Sequence, residues 1–515
     1  MISDMMNHIP VLILLIPLCG AVLCPVISHF SPSAGKRIVI GALFIAFCMS
    51  TVQLAAVIKA GEPFHYWLGG WRPPYGIEFV IDGVNGIIIV LVSFIGFMTA
   101  MFSSPFEEAD KSAPFRSAGY YSILCFLVIG LLGLSSTGDA FNLYVFMEIV
   151  ALSGYGLIAI GEEKGPIAAF RYLLTGTIGA SAYLLGIGFL YSATGTLNMA
   201  DLAIRLSEVD NMPVIVLAMA CLIVGFGIKM ALFPLHGWQP AAHSYAHPAA
   251  DPMIAGVMIK IPAYAMFRFF FCIFDTSLPM MKTVFTIIGI MAVLGILFGS
   301  LKALRYDKFN KILAYSSIGQ VGYIALGFAI GNFYGIAGAV LHILSHAFMK
   351  TGLFYTSAAF KYRYGIHYTD QLGQVYRKMP VTCGALVVLS LSMIGLPPFA
   401  GFFSKWYLAL GAIQNGQYFY VAVLIISSLL SAIYFFRIFE RLFMGEKTVI
   451  EPDAKIQDGN VSGPEVPGRP VTGKFEVPLR MLIPIVIAAA MVIVLGLGNS
   501  FIVNGILKTA VMGVL

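Results

Sequence analysis

Apolar runs about 20 residues long follow one another from end to end of this chain, and few sequence features restrict a fold so tightly. In helical form such a run matches the roughly 30 Å hydrocarbon core of a bilayer. Within lipid, only helices or closed barrels satisfy every backbone polar group. The alternating pattern of an outer-membrane barrel is not what these runs show. Of the 515 residues, 59% are hydrophobic and 11% charged, against roughly 25% charged in soluble domains. The mean hydropathy is +0.88. An all-α polytopic membrane protein is expected. The net charge of +6 is too diffuse to suggest nucleic acid. The seven cysteines lie in apolar runs with no CxxC pair, so neither an iron–sulfur cluster nor a disulfide framework is expected. No cleavable signal peptide is expected either, because residues 1–8 lack a basic n-region.

Candidate spans lie near 9–29, 37–60, 82–103, 118–135, 139–160, 167–192, 212–233, 251–274, 278–301, 310–330, 332–358, 380–412, 417–440 and 479–498. The run at 380–412 is too long for one straight helix and contains Leu396-Pro397-Pro398; the run at 212–233 leads into Phe233-Pro234. Both are expected to break, since proline removes a backbone donor and frees carbonyls. Most lysines and arginines fall on alternate loops and their flanks, among them Lys36, Arg37, Lys164, Lys302, Lys308, Lys361 and Arg441. The positive-inside rule then puts the N-terminus outside a prokaryotic cell (inner) membrane. Residues 444–477, rich in Pro, Gly and charge, read as a cytoplasmic linker. Residues 197–211 read as a short amphipathic helix on the outer surface.

Against that background, Lys229, Lys260, Arg268, Lys350, Lys405 and Arg437 fall at membrane depth, and Glu148 is the only acid well inside a predicted span. A charge at the bilayer centre costs about 2.5–3.5 kcal/mol on translocon scales, so these positions call for a functional explanation. A buried carboxylate with an ammonium nearby changes its proton affinity as the partner moves. The alternative is a Glu148 merely pinned by a neighbouring helix. Lys229, five residues before Pro234, is a desolvated lysine able to trade protons near neutrality, or simply the group that holds Glu148. Lys260 lies too deep to snorkel, whereas Arg268 is near enough to one end to do so. His342, His346 and Lys350 are four residues apart and share one helical face. Proton relay, packing and a two-histidine metal site all remain open there, although no HExxH glutamate accompanies the pair. Lys405 follows the second break. His236, His243 and His247 flank the loop HGWQPAAHSYAHP; they either gate proton access, together with Pro234 and Pro397 at the breaks, or cap helix ends.

Taken together, Glu148 in its helix, Lys229 before PLHGWQPAAH, DKFNKILAYSSIGQVGY, HILSHAFMK and GLPPFAGFFSKW resemble the antiporter-like subunits shared by respiratory complex I, membrane-bound hydrogenases and Mrp-type sodium/proton antiporters. HYWLGGWRPPYGIEFVIDGVNG, TGDAFNLYVFME and TGTLNMADLA look most like the D-type component of the Mrp antiporter. The resemblance implies fourteen helices, with inverted five-helix repeats at helices 4–8 and 9–13, each carrying a broken helix. The chain then divides into 1–117, the repeats 118–275 and 276–443, the linker 444–477 and a last helix in 478–515. It further implies a Glu148–Lys229 pair, Lys260 and the helix-11 histidines as central relay, Lys405 as terminal lysine, no bound cofactor or metal, and a place in a hetero-oligomeric complex in the lipid bilayer. Two departures matter. QPAAHSYAHP stands where relatives often carry an acidic LPDAH, and Gln320 stands where some complex I relatives place a histidine. The chain also ends soon after its last span, which disfavours the largest complex I subunit.

The expected function is a proton-translocating subunit of a Na⁺/H⁺ antiporter, with protons and Na⁺ as cargo. A pump subunit of a complex I-like oxidoreductase or hydrogenase is the alternative. A quinol-oxidising enzyme finds no haem-ligand pairs or dinucleotide loop to support it.

Overall fold

The computed structural model describes residues 7–109, 114–209, 212–446 and 476–508; most of the expected linker lies outside them. Among the described residues, thirteen helices are long and apolar enough to cross a membrane. In chain order the membrane helices are α1 (Ile9–Phe30), α2 (Pro32–Ala60), α3 (Gly83–Ala109), α4 (Pro114–Ser136), α5 (Ala140–Ala159), α6 (Gly165–Thr194) and α7 (Met212–Lys229). They continue with α8 (Asp251–Ile273), α9 (Pro279–Arg305), α10 (Phe309–Ile330), α11 (Phe333–Tyr364), α12 in two halves (Pro380–Ile394 and Ala400–Gln414), α13 (Tyr418–Met444) and α14 (Leu479–Leu497). The repeats α4–α8 and α9–α13 each hold five crossings. An odd number sends the second repeat into the membrane from the opposite side, which makes the repeats inverted.

Small residues set the packing inside each repeat, because TM helices associate by close backbone approach rather than by a hydrophobic drive. A Cβ on Gly225 of α7 would sit 2.9 Å from Tyr183 and 3.0 Å from the Gly179 carbonyl on α6. A Cβ on Gly299 of α9 would meet the Gly319 amide of α10 at 2.6 Å. Helix α11 runs through the middle, fully buried from Gly335 to Phe360.

Both expected breaks are present. In α7 the chain turns at Ala231, which adopts a left-handed φ of 58°, and resumes as a short helix, Gln239–Tyr245. In α12 it turns at Gly395 (φ 92°) and restarts after Pro398. The short amphipathic helix expected within 197–211 is Met199–Leu206, capped by the Asn198 side chain on the amides of Ala200 and Asp201. One element departs from an all-helical chain. Strands β1 (Phe64–Trp67) and β2 (Glu78–Ile81) form an antiparallel hairpin with Phe64 opposite Ile81, turning through Gly69 and Gly70 at positive φ.

Candidate functional site

The broken helices present their lysines in opposite ways. At the end of α7 the freed carbonyl of Ile228 accepts the indole N–H of Trp238 at 2.9 Å, and Trp238 is stacked on Tyr172. With that carbonyl satisfied, Lys229 is available to pair, and its Nζ donates to Glu148 Oε1 of α5 at 3.1 Å. Lys229 is 3% exposed; the Glu148 side chain is 30% exposed. In α12 the lysine itself satisfies the freed carbonyls. Lys405 Nζ donates to Met393 O (3.1 Å), Ile394 O (2.9 Å) and Ser428 Oγ (3.1 Å), and lies 4.9 Å from the Tyr323 ring centroid. The two lysines thus share a setting at a break but differ in partner, an anion in one case and neutral oxygens in the other.

Between them lies the central group. A π-helical stretch, Ile254–Met258, precedes Lys260 in α8, and the Lys260 ammonium donates to the Ala255 carbonyl within that stretch. π-Bulges of this kind are frequent at functional sites. Gly256 presses this stretch against Thr351 of α11, leaving no room for a Cβ. Lys350 donates to Leu313 O (2.7 Å) and Ser316 Oγ (2.6 Å) on α10. Lys260, Lys350 and His346 are within electrostatic reach of one another. His342 and His346 stack with ring centroids 5.6 Å apart. His342 Nδ1 bonds Ser404 Oγ at 2.9 Å, and its ring meets Tyr323 edge-on at 5.3 Å. Lys405, Tyr323, His342 and His346 therefore adjoin in sequence. Both ring nitrogens of the fully buried His346 lack a protein partner among the described residues, which is unusual for buried polar atoms.

Not every expected site residue joins this row. No hydrogen bond among the described residues links Lys229 to Lys260, so a proton crossing that gap needs water. His236 stacks on Phe233 and faces Phe298. His247 lies between Phe106 and Tyr120 and accepts the Ala249 amide on Nδ1. Pro234 and Pro397 are both exposed at their breaks. Two of the basic residues expected at membrane depth sit at the rims. Arg268 pairs with Asp82 at 2.5 Å, and Arg437 donates to the carbonyls of Leu304, in the last turn of α9, and Tyr306, just past it, a C-capping position for a cation. The buried basic set reduces to Lys229, Lys260, Lys350 and Lys405. Gln320, in place of the histidine of some relatives, is buried with its Oε1 unpartnered among the described residues.

Sequence reasoning misses a buried acid beside the candidate gating histidines. Asp251, at the first position of α8, is 1% exposed and bonds His243 Nδ1 at 2.6 Å. Glu148 is therefore not the only acid held inside the bundle. The motif Asp251-Pro252 reads as an ordinary helix start, and nothing local reveals its burial.

A polytopic bundle with two broken inverted repeats and a row of buried lysines and histidines defines an antiporter-like membrane subunit. Residues 137–431 match the family described as "NADH:quinone oxidoreductase/Mrp antiporter, TM", and the chain belongs to that family. Over 506 residues it is 42% identical to the N subunit of the NADH-quinone oxidoreductase of Desulforudis audaxviator, covering 98% of this chain and 99% of that one. It is 30% identical to the D component of the Na(+)/H(+) antiporter of Alkalihalophilus pseudofirmus, covering 90% and 92% respectively. Its fold matches a chain of the membrane-bound sulfane sulfur reductase, an archaeal respiratory membrane complex, with a TM-score of 0.87, 28% identity and 98% coverage of both chains. These relatives belong to multisubunit membrane complexes.

Proposed function

We propose that this chain is the proton-translocating subunit of a redox-driven, complex I-like membrane complex, taking protons along Glu148, Lys229, Lys260, Lys350, His346, His342 and Lys405. The observation that carries the reading is the buried row itself: four lysines, two of them at the helix breaks, together with two stacked histidines. An ammonium with only neutral partners is expensive in a low-dielectric interior, and three of the four have no carboxylate partner among the described residues. Each is better suited to passing a proton than to holding the fold together. The elementary event is electrostatic: a proton gained at one group alters the affinity of its neighbour, and the Glu148–Lys229 pair biases the first step. Other subunits would perform the redox chemistry. The Lys and Arg distribution favours an N-terminus outside, which puts Glu162, Lys308 and Lys361 on the cytoplasmic side.

The 42% identity to an oxidoreductase subunit over nearly the whole chain favours this driving force over the antiport expected first. Na⁺/H⁺ antiport is the second reading, supported by the 30% match to a component of a Na⁺/H⁺ antiporter. Inverted membrane vesicles carrying the intact complex and a ΔpH-sensitive dye test both. Glu148→Ala and Lys229→Ala are expected to abolish proton movement in an assembled complex; retained movement in either variant removes the reading. A ΔpH formed on adding electron donor supports the redox-driven form, and a ΔpH collapsed by added Na⁺ supports antiport.

A further inference from the structure

The buried pair His243–Asp251 closes the inner end of a polar recess that opens at one face of the bundle. Its mouth is a charge cluster in which Glu162 bonds Lys361 at 2.7 Å, with Lys308 at 3.6 Å and His367 at 4.0 Å. Burial raises the proton affinity of Glu162, but Lys361, Lys308 and His367 outweigh it and hold the carboxyl below its ordinary range. Inward, the walls are Asn310, Ser357 and Phe354, and Asp251 lies at the bottom. The free volume is about 10 Å³, at the lower limit for holding one water. Asp251 is fully buried; its Oδ1 is taken by His243, while Oδ2 has no protein partner among the described residues.

The recess also leads toward the relay. Lys361, Ser357 and Phe354 belong to α11, as do Lys350, His346 and His342 on successive turns toward the other end. Nineteen positions at 1.5 Å per residue carry that face about 28 Å through the protein. Phe354, which lines the recess, packs on the His243 ring at 5.2 Å and stands one helical turn from Lys350 on α11.

We propose that Asp251, with His243, is the proton-loading pair of an access port whose mouth is the Glu162 cluster. The inference rests on the proton-translocation reading above. A hydronium reaching the recess gives its proton to Asp251 Oδ2 and leaves as water. The added proton stays on Oδ2 while Oδ1 goes on accepting His243 Nδ1–H across their 2.6 Å bond. Asp251 returns to its carboxylate when Oδ2 hands that proton to a water on the relay side, and His243 holds the carboxyl in place. Asp251 thus supplies, from the start of α8, an acid that the loop QPAAH lacks. The groups facing the pair are Glu162, Lys308, Lys361 and His367 from the mouth, with Gln239 3.4 Å from His243 Nε2.

The test measures proton flux in vesicles holding the whole complex, for Asp251→Asn, Asp251→Ala, and Lys229→Ala as a control. Asp251→Asn preserves shape and is expected to assemble normally while losing at least tenfold in flux. Azide, a small weak acid able to enter the recess, is expected to restore flux to Asp251→Ala. Asp251→Asn with more than half the normal flux overturns the port, as does failure of that variant to assemble or loss of flux that azide does not restore. If Lys229→Ala also keeps its flux, the translocation reading itself fails; if only the Asp251 variants keep theirs, the port alone fails.

Discussion

Lys350 separates a relay role from a structural one more cleanly than any other buried lysine. Its ammonium is fully buried and, among the described residues, bonded only to Leu313 O and Ser316 Oγ. Those two oxygens do not depend on it. Ser316 Oγ also donates to Leu313 O at 2.9 Å, and Ser317 Oγ donates to the same carbonyl at 3.0 Å. Replacing Lys350 by methionine, which is similar in length, therefore leaves no orphaned group. The change forfeits two hydrogen bonds, each worth about 1.5–3 kcal/mol when one partner is charged. It also removes the desolvation penalty of a buried ion, several kcal/mol, and adds apolar burial. The balance is neutral or stabilising, on the order of 0–4 kcal/mol by analogy with buried charges replaced by apolar groups. Proton flux, in contrast, should fall to background. Thermal unfolding of the detergent-solubilised complex, followed with flux in vesicles, gives both readings. A Lys350→Met protein that is clearly destabilised would mean the lysine serves packing, and one that keeps its flux would mean protons bypass α11.

Two further outcomes follow from the geometry. Trp238→Phe removes the indole donor to Ile228 O, which keeps the Ala231 amide at 3.1 Å, so the change forfeits one neutral hydrogen bond worth about 0.5–1.5 kcal/mol; flux should drop with stability, and a variant as stable as the parent would show that the α7 break needs no such prop. Glu162→Gln should cost about 1 kcal/mol at neutral pH, since partly exposed pairs are weak. The sign in acid follows from its lowered proton affinity. The unfolded chain takes up this proton first, so the contribution is present above the ordinary carboxylate value of 4.5 and is lost as pH falls below it. The variant should show a shallower loss of stability in that window, and an unchanged acid profile would contradict the cluster's role.

The sequence carried the spans and their breaks because bilayer thickness and proline geometry act locally. It also carried the stacking of His342, His346 and Lys350, which needs only helical periodicity. Glu148 and Lys229 are 81 positions apart, so their contact depends on how α5 meets α7, a matter of small-residue packing that no window of sequence displays. Asp251 was hidden for the same reason, since a helix-starting acid looks alike whether it faces water or a buried histidine. Arg437 was misjudged in depth because α13 extends past the bilayer-length window to Met444, which carries the guanidinium to the end of α9. The hairpin β1–β2 was missed because a four-residue alternation is too short to stand out beside apolar helices.

The most direct test of a connected proton path is a map of ordered water in the assembled complex at a resolution that shows single molecules. Waters joining Lys229 to Lys260, and Lys260 to the His346–His342–Tyr323–Lys405 row, are the expected result. A dry apolar layer across the first of those gaps in every state captured would contradict it.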